Sequence, residues 1–293
     1  MFHRLLIATD FSDGLQRLVQ FIPDLAQTGL QQITFLHCVP LKEDRSIPRV
    51  DETKLSEARQ RLAPALETHL DSITVNIEVT AGKPSEAIVK AIDKYDSDLL
   101  MVGMSTHSLL NEKLFGSTTC KLAQLVAVPL LILRPQLVSA YTVEELSLRC
   151  RHLFRYLLIP YDGSASGQQL IAFIQQQAIN RPPHSLESCM LCWVVEASGR
   201  AKRSLQPHLD DKQVILQKLQ ADLQQLNLTV NYQVRTGNAI AEVNQVALEF
   251  DISAIAVSSR HFGRLWELSI PSFTGEMIRR SWHPILFVPP SKS

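Results

Sequence analysis

The chain has 293 residues, of which 45% are hydrophobic and 20% charged. That is the length and make-up of a globular protein of two domains, at about 100–200 residues each. Lys+Arg and Asp+Glu both total 29, so the formal charge is zero, which argues against nucleic acid or an anionic membrane as the main partner.

In chain order, LLIATD predicts a first strand that ends at Asp10. SDGLQRLVQFIPDLAQ then reads as a helix interrupted or kinked at Pro23. ITFLHCVP is a second strand, in which His37 is expected to be packed or hydrogen-bonded. ETKLSEARQRLAPALETHL is an amphipathic helix with Pro64 as a blemish. ITVNIEVTAG is a third strand, and PSEAIVKAIDKY a helix with Pro84 in its first turn. DLLMVG, STTCKLAQLVA and PLLILR complete the half as strand, helix and strand. The strands are continuous apolar runs, as a sheet covered on both faces requires. Strand–helix alternation predicts a parallel, doubly wound α/β sheet whose ligands sit beyond the strands' carboxyl ends.

The chain is then written a second time. RLLIATDFS matches YLLIPYDGS, pairing Asp10 with Asp162. VTAGKPSEAIVKAIDKYDSDLLMVG matches VRTGNAIAEVNQVALEFDISAIAVS, pairing Gly82 with Gly237 and Asp96 with Asp251. The last strands match as VPLLIL and HPILFV. The expected division is residues 1–136, a linker over 137–152, and residues 153–293. In the linker, TVEEL reads as a short helix with Thr142 as cap and Glu145 at the capping-box position.

No apolar run approaches the ~20 residues of a membrane span, and the apolar patch at the start is too short for a signal peptide. Five scattered cysteines form no disulfide framework and fit a reducing cytoplasm. Cys189 and Cys192 form one C-x-x-C without a second pair, which reads as core strand rather than a zinc site.

Two familiar phosphate loops are absent: neither G-x-x-x-x-G-K-[ST] nor a G-x-G-x-x-G after the first strand occurs. Gly163-Ser164-Ala165-Ser166-Gly167 places Ala at the nucleophile position of a hydrolase elbow. The stretch VGMSTHSLLNEKLFGSTT remains. Gly103 ends the fourth strand, where a missing Cβ permits a ligand's approach or a positive φ. Gly116 and Ser117 open the last helix of the half, and free N–H groups at such an end can hold an anion. The alternative is structural: a turn glycine followed by a glycine–serine cap.

With Asp10 at the first strand end and Gly82-Lys83-Pro84 after the third, this G-x-x-T-(nine)-G-S spacing resembles the universal stress protein family. Its nucleotide-binding members carry G-x-x-G-(nine)-G-[S/T]. The resemblance covers nearly the whole chain as a tandem pair. It implies two Rossmann-like domains, each with a five-stranded parallel sheet, associated as an intramolecular pseudo-dimer through their last strands, with a further homodimer as an option. It also implies an adenine nucleotide (ATP, ADP or AMP), with Mg²⁺ on its phosphates.

By position, the resemblance assigns Asp10 to the adenosine moiety and Cys38 to the place where the second strand meets adenine. Gly103, Thr106, Gly116, Ser117 and Thr118 fall on the phosphate and ribose loop. Thr106 stands in place of the family's second glycine, and a β-branched residue disfavours positive φ. The second half reads Ser258, Ser259, Arg260, His261 and, after nine residues, Pro271-Ser272, with none of the three glycines. Asp162 is there expected to cap the following helix.

Three functions remain open on the sequence. One is a stress-response regulatory protein that binds an adenine nucleotide in its first half. Another is a scaffold of the same family that binds a client protein and no nucleotide. The third is a slow ATPase, for which no dedicated base or Walker lysine can be placed.

Overall fold

The computed structural model describes residues 1–41, 49–68, 70–104, 122–134, 138–139, 141–196, 205–259 and 272–290, the side chains of 205–208 excepted. The chain divides into two compact units, Phe2–Arg151 and, apart from Met1, His152–Ser293.

In the first unit the strands are β1 (Arg4–Ala8), β2 (Gln32–Val39), β3 (Thr74–Ala81), β4 (Leu99–Gly103) and β5 (Leu130–Leu133). They lie in the order β3-β2-β1-β4-β5, and every ladder is parallel. Leu5, Leu6 and Ile7 of β1 and Leu99, Leu100 and Met101 of β4 have no exposed surface. Burial on both faces is what the unbroken apolar runs require. Because all strands run the same way, Ala8, Val39 and Gly103 end at one edge of the sheet.

The prolines fall where the chain changes conformation. A 3-10 turn, Leu15–Gln20, gives way at Phe21 to α1 (Ile22–Ala26), with Pro23 in the first turn. There the missing N–H costs no helical bond. Likewise α2 (Glu52–Leu62), capped by Asp51, tightens into a 3-10 turn over Ala63–Glu67 that contains Pro64. Helix α3 (Pro84–Lys94) buries Ser85, Ile88, Ala91 and Ile92 at helical spacing.

Helix α4 (Val143–Arg151) opens with the predicted capping box. The Glu145 N–H donates to Thr142 Oγ1 at 3.3 Å, and the Thr142 N–H donates to a Glu145 carboxylate oxygen at 2.9 Å. Its buried face carries Leu146 and Cys150. Asp24 of α1 accepts from Ser147 Oγ at 2.9 Å and from Arg151 Nε at 2.6 Å. Arg17 donates to the carbonyls of Val138 and Tyr141. The segment between the repeats is thus packed into the first unit up to Arg151.

The second unit repeats the plan with β6 (Tyr156–Pro160), β7 (Ser188–Val195), β8 (Thr229–Thr236), β9 (Ala254–Ser258) and β10 (Ile285–Val288). The order is β10-β9-β6-β7-β8, again parallel. Its helices are α5 (Ala165–Ile179), α6 (Leu205–Gln224), α7 (Ala239–Glu249) and α8 (Phe273–Arg280). Matched repeat positions share backbone geometry. Gly82 and Gly237 have φ of 136° and 151°, and Asp96 and Asp251 have 48° and 50°. Asp96 pairs with Arg4 at 3.0 Å and Asp251 with Arg155 at 4.0 Å.

Candidate functional site

At the carboxyl edge of the first sheet, Asp10 lies beyond β1, between β2 with Cys38 and β4 with Gly103. Asp10 is exposed, and its Oδ1 accepts from the Ser12 N–H at 2.8 Å and Ser12 Oγ at 2.7 Å. One carboxylate oxygen thus shapes the turn, and Oδ2 stays available. Cys38 is half-buried, and its thiol donates to the Gly82 carbonyl at 3.4 Å. Burial raises the thiol's pKa above the ordinary value, which keeps it neutral.

Gly103 does not have the left-handed φ that the sequence allowed for. Its missing Cβ makes room for Asp13: an added Cβ would stand 2.3 Å from Asp13 Cβ and 2.9 Å from Oδ2. Asp13 is only 3% exposed. Its Oδ1 accepts from Thr9 Oγ1 at 2.7 Å and the Leu15 N–H at 3.0 Å, and Oδ2 from the Asp10 N–H at 3.4 Å. Burial, the largest influence, pushes its pKa up to about 6 despite these bonds. Asp13 was not singled out from sequence, because a second acid three residues after Asp10 looks like an ordinary first-turn residue.

Between these two acids stands Phe11, at φ 66°. Its ring stacks on His37 with centroids 4.1 Å apart and planes at 19°, and the Arg61 guanidinium lies 5.0 Å from the ring centroid. Stacking and a cation over the ring offset the strain of a left-handed aromatic residue. The His37 Nδ1–H donates to the Thr9 carbonyl at 2.8 Å, and burial lowers the imidazole pKa. His37 is therefore a hydrogen-bonded strand histidine. Thr106, Gly116, Ser117 and Thr118 lie outside the described residues.

The second half has a cleft of ≈ 570 Å³ at the corresponding edge. Leu170, Cys192, Val194 and Val243 form part of its apolar wall, and Asp162, Glu196 and Glu276 bring carboxylates to it. Asp162 does not cap α5. Its Oδ1 accepts from the Ser164 N–H at 2.9 Å, and Ser164 Oγ caps by accepting from the Gly167 N–H at 3.1 Å. A hydroxyl two residues on has the shorter reach to the first turn. Asn238 and Ser272 cap α7 and α8 in the same way, each at 3.1 Å.

Strand register aligns the halves, since Ala8 pairs with Leu36 as Pro160 pairs with Cys192. Counted from those pairs, Gly163 holds the place of Phe11 and Trp193 that of His37. Gly163 has φ 76°, and a Cβ on it would sit 3.1 Å from the Trp193 ring. Lys212 lies 4.6 Å from the Trp193 ring centroid, as Arg61 lies over Phe11. Both copies thus place a left-handed residue after the aspartate and against an aromatic ring, with a cation over Phe11 in the first copy and over Trp193 in the second.

The description of the universal stress protein family matches residues 1–134 and again residues 154–289. The chain belongs to the universal stress protein family. A curated universal stress protein of Synechocystis is 28% identical over 131 residues, which span 45% of this chain and 42% of that one. The match therefore reaches less than half of that relative's length. Among solved structures, a universal stress protein from Archaeoglobus fulgidus is 19% identical with a TM-score of 0.66, covering 98% of this chain and 96% of that one. A putative universal stress protein from Pseudomonas aeruginosa is 14% identical with a TM-score of 0.60, covering 99% and 94%. These likenesses show the fold: universal stress protein domains in tandem. Among the described residues, no His, Cys, Asp and Glu side chains cluster as a metal site and no helix is long and apolar enough to cross a membrane.

Proposed function

We propose that the first half binds an adenine nucleotide as a regulatory ligand, with Mg²⁺ on the phosphates, and that the protein acts by binding rather than by turnover. The observation that carries this reading is Asp10: an exposed carboxylate beyond the central strand β1, with one oxygen fixed by Ser12 and the other available. The crevice beyond the strand ends of a doubly wound sheet is where such folds receive ligands. A carboxylate held in one orientation suits a pair of ribose hydroxyls. The sequence after β4 supplies Gly116 and Ser117 for the phosphates. Regulation then requires unequal affinities, because a ligand that binds two states equally shifts neither.

Calorimetric titration with ATP, ADP and AMP tests the proposal. Binding at micromolar to millimolar Kd, weakened at least tenfold by Asp10→Ala, is the expected result. Absence of heat and of any melting shift at millimolar nucleotide would overturn it.

A second reading, a scaffold whose altered loops meet a client protein, draws on Asp13. The space beside Gly103 is filled by this side chain, so that glycine is explained by packing alone. A purified protein that carries a stoichiometric adenine nucleotide would exclude the scaffold reading for the first half.

A further inference from the structure

Asp13 is a buried acid that the fold does not require. It is 3% exposed, in the space left by the missing Cβ of Gly103. The second copy builds the same sheet without it. Pairing Asp10 with Asp162 puts Ala165 at the place of Asp13, and pairing Asp96 with Asp251 puts Ser258 at that of Gly103. The ladders agree, since Leu5 pairs with Leu99 as Leu157 pairs with Ala254. A carboxyl buried where a neutral residue serves costs stability once it ionises. Acids kept in such surroundings concentrate where a protein binds or reacts.

The groups around Asp13 leave its charge uncompensated. Thr9 Oγ1 and the Leu15 N–H donate to Oδ1, and the Asp10 N–H donates to Oδ2. The influences on the carboxyl are burial, these three bonds and the like charge of Asp10, with no cation among them. The titratable groups of the surrounding elements are turned elsewhere. Arg17 of the 3-10 turn donates to the carbonyls of Val138 and Tyr141. His37 of β2 is bonded to the Thr9 carbonyl, and Arg61 of α2 lies over the Phe11 ring. Arg134, just past β5, is buried and exerts no resolved pull on Asp13. At β4 the neighbours are Gly103 and Met104, which carry no charge.

Burial makes this carboxyl titrate at about 6, so a modest change in local field near neutral pH changes its charge. A nucleotide received by Asp10 brings phosphate charge to the same edge of the sheet. Negative charge nearby favours the protonated form of an acid. Binding and protonation then favour each other, by the same factor in each direction.

We infer, on the reading that the first half binds an adenine nucleotide, that Asp13 couples this binding to pH: the arriving phosphates draw a proton from solvent onto the buried carboxyl, and occupancy rises as the solution turns mildly acidic. The second half, with Ala165 in that place, has no such coupling.

Calorimetric titration of the full chain with ATP and Mg²⁺ at pH 8 and pH 6 tests the inference. From the higher pH to the lower, the gain in affinity should be at least about threefold larger in the native chain than in Asp13→Asn. Protons taken by the triphosphate itself or by a histidine are common to both chains and drop out of the ratio. Carboxyl ¹³C spectra of the native chain, labelled at aspartate, give a second readout that needs no variant to fold. Saturating ATP should move the Asp13 titration midpoint to higher pH, and adenosine, which brings no charge, should leave it in place. Equal pH dependence in the two chains, or a midpoint that ATP leaves or lowers, overturns the inference. A midpoint that adenosine raises as far as ATP does overturns the coupling by charge. No ATP binding at either pH is the separate failure of the first-half reading, and the inference falls with it.

Discussion

Asp13 and Gly103 fit together only because one of them has no side chain: a Cβ at Gly103 would lie 2.3 Å from Asp13 Cβ. Gly103→Ala should therefore destabilise the first half by about 1–3 kcal/mol, the usual cost of overpacking. Asp13→Ala would not relieve the clash, since Cβ remains, whereas Asp13→Gly would. A double-mutant cycle read by urea denaturation decides the matter. Equal costs of Gly103→Ala in the native and Asp13→Gly backgrounds would sink the steric account.

Asp13 also predicts the acid response of stability. Its carboxyl titrates at 3.8 in the unfolded chain and at about 6 in the fold. The folded state therefore holds the extra proton between those values. Stability from this group is greatest below about pH 4, falls as pH rises to about 6, and is flat above. Over about two pKa units this amounts to about 3 kcal/mol. Denaturant titrations at a series of pH values should show that slope in the native chain and a flatter profile in Asp13→Asn. An unchanged slope in the variant would assign it to other groups.

Phe11 is the left-handed residue whose counterpart is Gly163. Phe11→Ala keeps the strain and loses the His37 and Arg61 contacts, at an expected cost of about 1–2 kcal/mol. Phe11→Gly loses the same contacts but removes the strain, so it should cost less. Melting temperatures of the two variants should rank glycine above alanine. The reverse order would mean that unfolded-state entropy outweighs the strain at this turn.

The capping box of α4 gives a further test. Thr142→Ala should cost about 1 kcal/mol, and Glu145→Ala less, because its exposed carboxylate returns a single bond to the Thr142 N–H. Hydrogen exchange of the α4 amides is the informative readout. Faster exchange confined to α4 would mean that the helix frays locally. Faster exchange in α1 as well is expected, since Asp24 binds both Ser147 and Arg151.

Much of this fold is written in local pattern. The apolar runs, the displaced helical turns at Pro23 and Pro64, and the Thr142–Glu145 box all depend on near neighbours in sequence. Gly103 was less legible. Its partner Asp13 belongs to a distant loop that only the parallel pairing of β1 with β4 brings alongside. The Asp162 cap was misplaced because Asp and Ser both favour N-caps and only the turn geometry chooses between them. The cleft in the second half was hidden for a related reason. Missing glycines announce the loss of one kind of loop, but say nothing of Glu196, whose place at the rim follows from strand register.

The cysteines of the core carry a practical consequence. Burial pushes the thiols of Cys150, Cys189 and Cys192 to about 12. At neutral pH almost none of each is thiolate in the closed fold, so alkylation waits on opening. Cys150 sits on α4 in the first unit, and Cys189 and Cys192 on β7 in the second. The native sequence thus contains a set of built-in clocks, and their labelling rates, followed by peptide mass, time the breathing of each half separately without an added probe.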